Sequence, residues 1–373
     1  MLTRRELASR IGFGGVVAGM LTEMAYAQRA AVHTGTPLPK DMVWINANEN
    51  PAGPPASSLK VMAEVMPTSG RYHYQEFDDF YAKLAHSEDL EPNQILVGAG
   101  SSESLHCAVD AFTSPTRPLI TISPTYEAPP ELAKALGRRV ITVPVNDKYY
   151  ADVHKLVAEA EKAGGGLIYL CNPNNPTSAV TPKGDIAWMM ANLPSNTYVL
   201  IDEAYIHFAE TPEMESGLNY VRQGKNMIVT RTFSKLYGMA GLRAGFACAR
   251  PDLIQQMTPY RNNVISIVTA HGVMAAIANA KTIVPERRAR LSRTRSELCA
   301  WLRQKNVKFI EPQANFLMID VHRDVRDFAK DMAERGVAVG RPFPPLDHML
   351  RVSIGTDQDM AKFRDVFSRV YQA

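Results

Sequence analysis

The sequence predicts an α/β protein whose mostly parallel sheet is covered by helices on both faces. Short apolar strands alternate with helices from Ile95 to Ala249, which is the pattern of such a sheet. Glycines and polar side chains follow the strands at the points where they end. Open α/β sheets bind ligands at the carboxyl ends of their strands, so we expect a ligand site along that edge.

Composition limits the classes of protein that fit. The chain has 373 residues, 46% of them hydrophobic, which is enough for a large core and two domains. Its net charge of +3 is too small to indicate nucleic-acid binding. The four cysteines are widely spaced, and the nine histidines lack the spacing of metal ligands. We therefore expect buried free thiols, no disulfide framework and no metal.

Five apolar strands are predicted first, at Ile95–Val97, Leu119–Ile122, Val140–Val143, Leu167–Cys171 and Tyr198–Ile201, and two further apolar runs follow at Met227–Val229 and Gly245–Cys248. Helices are predicted at Ser57–Met66, Ser104–Phe112, Leu156–Lys162 and Pro285–Lys305. A smaller α/β unit follows, with strands at Phe316–Asp320, Val337–Val339 and Leu350–Ile354 and helices at Val325–Glu334 and Asp357–Tyr371. The predicted division of the chain is an N-terminal signal (1–27), an arm (28–56), a large ligand-binding domain (57–265) and a small C-terminal domain (266–373).

A glycine turn from Gly98 to Glu103 follows the first strand and opens a helix. Free backbone N–H groups and the helix dipole attract an anion at such a turn. The spacing G-x-G-x-x-E is not that of a dinucleotide-binding turn, because the third glycine is missing and the turn lies deep in the chain. The turn therefore predicts an anion site; the alternative is an ordinary helix cap.

Two further strand ends carry reactive side chains. Asp202 follows the apolar strand Tyr198–Ile201, and a buried carboxylate is costly unless a cation faces it. Lys235 lies in Thr230–Ala249, among glycines and hydroxyls and eight residues before Arg243. Such a lysine suits a phosphate-bearing ligand, either as a donor to the anion or as a partner for an aldehyde. The alternatives are a helix cap for the acid and a basic surface loop for the lysine.

The stretch Thr230–Ala249 (TRTFSKLYGMAGLRAGFACA) resembles the cofactor-lysine motif of fold type I aminotransferases that use pyridoxal 5'-phosphate (PLP). It is most similar to the histidinol-phosphate aminotransferase family, whose motif is TFSK-x-x-G-x-A-G-L-R. The resemblance covers roughly Trp44 to Thr356. It implies the fold type I architecture, with a large, mostly parallel, seven-stranded-type sheet domain that binds PLP and a smaller C-terminal α/β domain.

The resemblance also implies roles for residues around the cofactor. Lys235 would form the Schiff base, and Tyr126 of the P-T-Y motif would pack on the pyridine ring, although a tyrosine after a strand is more often part of a core. Asp202 would keep the ring nitrogen protonated. Asn175 in N-P-N-N-P-T-S and Tyr205 would contact the phenolic oxygen. The implied phosphate-binding residues are Ser101, Ser102, Ser234 and Arg243, and Thr232 is a further candidate for cofactor binding, with its hydroxyl beside the lysine.

Three residues are implied in substrate binding. Arg351 in L-R-V-S-I-G-T matches the arginine that holds the substrate α-carboxylate through a bidentate pair. Arg341 maps to an arginine that can meet a distal anion in histidinol-phosphate enzymes. Asn48 lies in Trp44–Pro55, which resembles the N-x-N-E-N-P-x-G-P segment along the mouth of the active site.

Tyr72 resembles the tyrosine that reaches across a dimer interface to the partner's cofactor phosphate, which implies a homodimer. His73 stands where the family usually has proline. An interface or core tyrosine without a ligand is the alternative.

The N-terminal segment has the parts of a twin-arginine export signal in the expected order. Arg4 and Arg5 precede an uncharged apolar run, Ile11–Thr22, and Ala25 and Ala27 supply small residues for cleavage. The apolar run is too short for an ordinary membrane-spanning helix. We expect a periplasmic mature protein without stable membrane anchoring; the alternative is an amphipathic N-terminal helix of a cytoplasmic enzyme.

The function expected from these features is PLP-dependent transfer of an amino group between an amino acid or amine and a 2-oxo acid. A decarboxylase of a phosphorylated amino acid and a β-lyase remain alternatives on the same scaffold, and an exported binding protein is the non-enzymatic alternative. Donor and acceptor stay open. Histidinol phosphate is a cytoplasmic biosynthetic substrate, so export would favour another donor, for example an aromatic one.

Overall fold

The computed structural model describes residues 41–372. The predicted export signal and most of the predicted arm lie outside the described residues. All four cysteines are buried thiols, as predicted.

A seven-stranded sheet forms the large part of the molecule, with the strand order β2-β8-β7-β6-β5-β3-β4. Only β8 within this sheet is antiparallel to its neighbours; the pairs from β7 to β4 are parallel. The mostly parallel α/β fold is therefore confirmed. The strands are β2 (Ile95–Gly98), β3 (Leu119–Ser123), β4 (Val140–Pro144), β5 (Gly166–Cys171), β6 (Thr197–Asp202), β7 (Met227–Thr232) and β8 (Gly245–Cys248).

Helices cover both faces of this sheet. Ile168 and Leu170 of β5 face one apolar core, while Leu167 and Tyr169 face the other, because successive side chains of a strand point to opposite faces. Both faces are buried, as parallel sheets require. The helices of this part are α1 (Ala56–Val65), α2 (Glu76–Ser87), α3 (Ser101–Phe112), α4 (Ala128–Ala135), α5 (Val153–Lys162), α6 (Lys183–Ala191), α7 (Leu218–Arg222), α8 (Pro251–Met257) and α9 (Ile267–Ala278).

A smaller unit packs around a third core. The parallel pair of β1 (Val43–Trp44) and β10 (Val337–Ala338) and the antiparallel pair of β9 (Phe316–Asp320) and β11 (Met349–Ser353) contribute to it. Helices α11 (Val325–Glu334) and α12 (Asp357–Tyr371) and the C-terminal part of α10 (Ala280–Gln304) complete it.

The boundaries of the units differ from those predicted. Helix α9 packs in the first core of the large sheet and against α1, so the small unit does not begin at residue 266. Strand β1, predicted as part of a separate arm, is a strand of the small unit. Both differences arise from long-range apolar contacts, which local sequence does not encode. Within residues 41–372 no single helix meets the length and hydropathy of a membrane span; α9 and α10 meet them jointly but are bent by 82°.

Ser178 ends the segment N-P-N-N-P-T-S at the position where the resembled family usually has glycine, and it adopts a left-handed backbone with φ of 61°. Its hydroxyl oxygen accepts hydrogen bonds from the backbone N–H groups of Gln313 (3.0 Å) and Ala314 (2.8 Å), just before β9. The side chain thus offsets the backbone strain by tying the loop after β5 to the segment that leads into the small unit.

We expect Ser178→Ala to lower the free energy of unfolding by about 1–2 kcal/mol, because the buried N–H of Ala314 loses its acceptor while the strain persists. The N–H of Gln313 keeps the backbone oxygen of Ser178 as an acceptor at 3.0 Å. Ser178→Gly should cost about 1 kcal/mol less, since glycine accepts a positive φ. Urea unfolding measures both, with the exposed Ser195→Ala as the control. Equal losses for the two Ser178 variants would contradict the proposed strain.

Candidate active site

A cavity of about 400 Å³ opens at the carboxyl ends of β6 and β7 and at the start of α3. This is the edge where the sequence predicts a ligand site. Nine of the predicted residues line it: Ser101, Ser102, Tyr126, Asp202, Tyr205, Thr232, Ser234, Lys235 and Arg243.

One end of the cavity is shaped for an anion. Helix α3 begins at Ser101, directly after Gly100, which has φ of 81° and provides no side-chain cap. A Cβ on Gly100 would lie 2.4 Å from Nη2 of Arg243, and a Cβ on Gly245 would lie 2.1 Å from the backbone N of Ser101. Only glycine allows this approach of the guanidinium and the helix N-terminus, where dipole and charge both favour a phosphate.

Hydroxyl groups from three segments surround this anion site. The Thr232 hydroxyl donates to Oγ of Ser234 at 2.9 Å and accepts from the Ser234 backbone N–H at 3.1 Å. Ser102 Oγ lies 3.5 Å from the Tyr126 hydroxyl. The Arg243 guanidinium donates to the backbone oxygen of Ala240 at 2.9 Å, which fixes its orientation beside the helix start.

The reactive groups lie at the other end. Lys235 Nζ is 3.5 Å from the Ala47 backbone oxygen and 5.6 Å from the centre of the Tyr205 ring. Asp202 is 3% exposed and accepts hydrogen bonds from the Thr230 hydroxyl (3.1 Å) and the Ala204 backbone N–H (3.2 Å). Burial still raises the pKa of Asp202 to about 6. A cation placed beside its carboxylate would therefore be strongly stabilising.

Three predicted residues do not line the cavity but bond to one of its wall residues or to one another. The buried Arg351 donates from Nη1 to Asn175 Oδ1 at 2.7 Å and from Nη2 to the Asn46 backbone oxygen at 2.8 Å. Asn48 is fully buried, and its side-chain amide donates to the Tyr205 hydroxyl at 3.2 Å. The structure thus connects the predicted carboxylate clamp to the asparagine predicted to contact the cofactor, and it gives Asn48 contacts that orient Tyr205.

Arg341 and Tyr72 are not in the cavity wall. Arg341 forms an ion pair with Glu127. Tyr72 is 73% exposed and stacks on Tyr74 with a centroid distance of 5.2 Å. His73, which replaces the family's proline, has φ of 57°, and both its ring nitrogens are hydrogen-bonded, one of them to Glu76. These contacts define the local turn that the sequence left in doubt.

The prediction missed five residues of the cavity wall. Glu49 could have been found, because it lies inside the N-E-N-P motif that the sequence shows. The others carry no polar side chain, so only the fold reveals that they face the cavity: Ala47, Ala204, Ala240 and Gly241.

The residues present fit PLP. A phosphate matches the helix start with Arg243, an aldehyde matches the amine of Lys235, and a cationic ring nitrogen matches the buried acid Asp202. The cavity has an anion-binding end and a separate end with a buried acid. A site for a simple anion would not explain the acid, so the ligand must carry more than a phosphate.

Comparison with known proteins agrees with this chemistry. The family model "Aminotransferase class I and II" matches residues 40–367. A histidinol-phosphate aminotransferase from Symbiobacterium thermophilum is 31% identical over 329 residues, which cover 87% of this chain and 89% of the relative. An aromatic amino acid aminotransferase from Cutibacterium acnes is 31% identical over 344 residues, which cover 89% of this chain and 95% of the relative.

A solved structure shares the fold. The histidinol-phosphate aminotransferase from Sinorhizobium meliloti, in complex with PLP, superposes with a TM-score of 0.84 at 24% identity, and the match covers 93% of this chain and 94% of that chain. With the family match over most of the chain, these findings favour transamination over the decarboxylase, lyase and binding-protein alternatives. The chain belongs to the class I and II aminotransferases and is a PLP-dependent transaminase.

Proposed function

We propose that this transaminase takes its amino group from an α-amino acid and passes it to a 2-oxo acid. The observation that carries the proposal is the buried guanidinium of Arg351, held by Asn175 and by the Asn46 backbone oxygen. A planar arginine fixed in this way suits bidentate binding of a carboxylate, which both α-amino acids and 2-oxo acids carry beside the reacting carbon.

PLP, when bound, supplies an electron-withdrawing ring that stabilises negative charge at the substrate Cα. We assign its phosphate to the start of α3 with Ser101, Ser102 and Arg243. Thr232 and Ser234 add hydroxyl donors there. The negative charge of Asp202 holds the proton on the ring nitrogen, and its burial makes this attraction stronger than in water.

Lys235 is the proposed proton carrier. Its Nζ accepts the proton from the substrate Cα and later returns one on the same side of the site, as a general base and then a general acid. Tyr205 lies beneath the amine and is oriented by Asn48. Arg351 fixes the substrate so that its Cα–H faces the amine, which is the positioning that a proton transfer needs.

Visible absorption of the PLP-loaded protein tests this proposal. Single donors are added: phenylalanine, glutamate, aspartate and histidinol phosphate. We expect at least one amino acid to remove the visible band and to yield its 2-oxo acid. Loss of the band with histidinol phosphate alone, or with no amino acid, would overturn an amino-acid donor.

We further propose that the active form is a homodimer. Support comes from the exposed Tyr72 and Tyr74, whose rings stack on each other, and from Met66, a few residues earlier in the chain and 58% exposed. Exposed aromatic and apolar side chains are typical of interfaces. Sedimentation equilibrium should give twice the chain mass. A monomer at micromolar concentration with full activity would refute the dimer.

Export through the twin-arginine route is the proposal for localisation. Its support is the order of arginines, apolar run and small residues in Met1–Ala27, a segment that precedes the family match at residue 40. N-terminal sequencing of the protein from its native host should start near Gln28. An intact Met1 on cytoplasmic protein would contradict export.

A further inference from the structure

An ion pair between the two units lies beside the substrate clamp. Glu127 follows Tyr126, which lines the cavity, and it pairs with Arg341 of the small unit. Each of the two side chains is only 20% exposed. The pair is therefore largely shielded from solvent, and an opposite charge stabilises a shielded group more than it stabilises an exposed one.

Phe343 connects this pair to the clamp. Its ring centre is 4.1 Å from the Arg341 guanidinium carbon and 4.6 Å from that of Arg351. Phe343 itself is 3% exposed. Both guanidinium groups therefore lie against the same aromatic ring, so the Glu127–Arg341 pair is within the length of a donor side chain from the predicted carboxylate-binding arginine.

We propose that Glu127 determines which donor side chain the site accepts. Its carboxylate neutralises the charge of Arg341. The part of the site around Phe343 and this ion pair therefore accepts an uncharged donor side chain, above all an aromatic one, and disfavours a distal carboxylate or phosphate. An anionic group would have to displace Glu127 from Arg341 or lie against that carboxylate, and either arrangement costs binding free energy. The inference rests on the proposed amino-acid donor, whose carboxylate Arg351 holds.

Binding of two unreactive carboxylates tests the inference without turnover. 3-Phenylpropanoate carries a neutral distal group, and glutarate carries an anionic one. Isothermal titration of the PLP-loaded enzyme should give tighter binding of 3-phenylpropanoate. In Glu127→Gln we expect the affinity ratio of glutarate to 3-phenylpropanoate to rise about ten-fold, because Arg341 becomes available for a charge-assisted bond.

Two further variants make the test specific. Glu127→Gln combined with Arg341→Gln should lose the gain, because Arg341, the cation that would meet the distal anion, is then absent. Asp110→Asn, which breaks the similarly buried Arg138–Asp110 pair away from the cavity, should leave the ratio unchanged. A wild-type preference for glutarate, or an unchanged ratio in Glu127→Gln, would overturn the role of Glu127.

Failure of this inference is distinct from failure of the proposed function. If neither carboxylate binds while the visible band still responds to histidinol phosphate, the amino-acid donor is wrong and the inference falls with it. If both bind and amino acids remove the band, but the ratio ignores Glu127, only the specificity assignment fails. Lysine and arginine serve as added donors: a preference for them that disappears in Glu127→Gln would make Glu127 a contact for a cationic side chain and refute neutral selection.

Discussion

Replacing Lys235 with alanine should lower kcat by about four orders of magnitude or more, because the variant loses the amine that carries the proton at the substrate Cα. The cavity keeps its phosphate-binding end, formed by the start of α3 and Arg243, so PLP should still bind, without a covalent bond. Single-turnover kinetics with the best donor and spectra of the bound cofactor measure the two effects separately.

Lys225→Ala is a matched control, because Lys225 is exposed and lies outside the cavity wall. It should retain wild-type turnover. A Lys235→Ala protein with a rate near that of the wild type would refute the assignment of this lysine, whatever happens to cofactor binding.

Asp202→Asn should lower the activity of the enzyme and raise the stability of its cofactor-free form. We expect turnover to fall by about 10³-fold, since a neutral amide cannot hold the proton on the ring nitrogen through charge. The cofactor-free protein should nevertheless become more stable at neutral pH. Burial raises the pKa of Asp202 to about 6 from its ordinary 3.8, so the carboxylate is an unfavourable group in the fold until a cation faces it.

The direction with pH follows from this shift. The folded state favours the protonated form of Asp202. The contribution of this group to the free energy of unfolding is therefore fully present below pH 3.8 and is lost as the pH rises through about 6. At pH 7 the free energy of unfolding of the cofactor-free variant should exceed that of the wild type by on the order of 3 kcal/mol. Urea unfolding of the cofactor-free wild type and variant between pH 4 and pH 8 measures the difference.

The exposed Asp147→Asn is the control for Asp202→Asn, and we expect no comparable change with pH. A stability difference that does not grow between pH 4 and pH 7 would contradict a buried, uncompensated acid. PLP should reverse the gain, because the bound cation stabilises the wild-type carboxylate and not the amide.

Much of the site could be predicted because its residues follow apolar strands in the chain. Asp202 ends β6 and Ser101 opens the helix after β2, and the rule that parallel strands share one carboxyl edge brings them together. The antiparallel direction of β8 was not predictable in the same way, since it depends on pairing with both β2 and β7. Nor was the position of α9, whose apolar residues suit either unit.

The sequence alone determined the strand-and-helix alternation, the anion-binding turn and the separation of Lys235 from Asp202 along the chain, because these depend on neighbouring residues and on periodicity. The tertiary structure alone decided which distant groups meet. Arg351 reaches Asn175 across 176 positions, and Glu127 meets Arg341 from the other unit. Two charged groups far apart in the chain form a strong pair only when folding brings them together and excludes water between them. Local sequence patterns do not specify which groups come together.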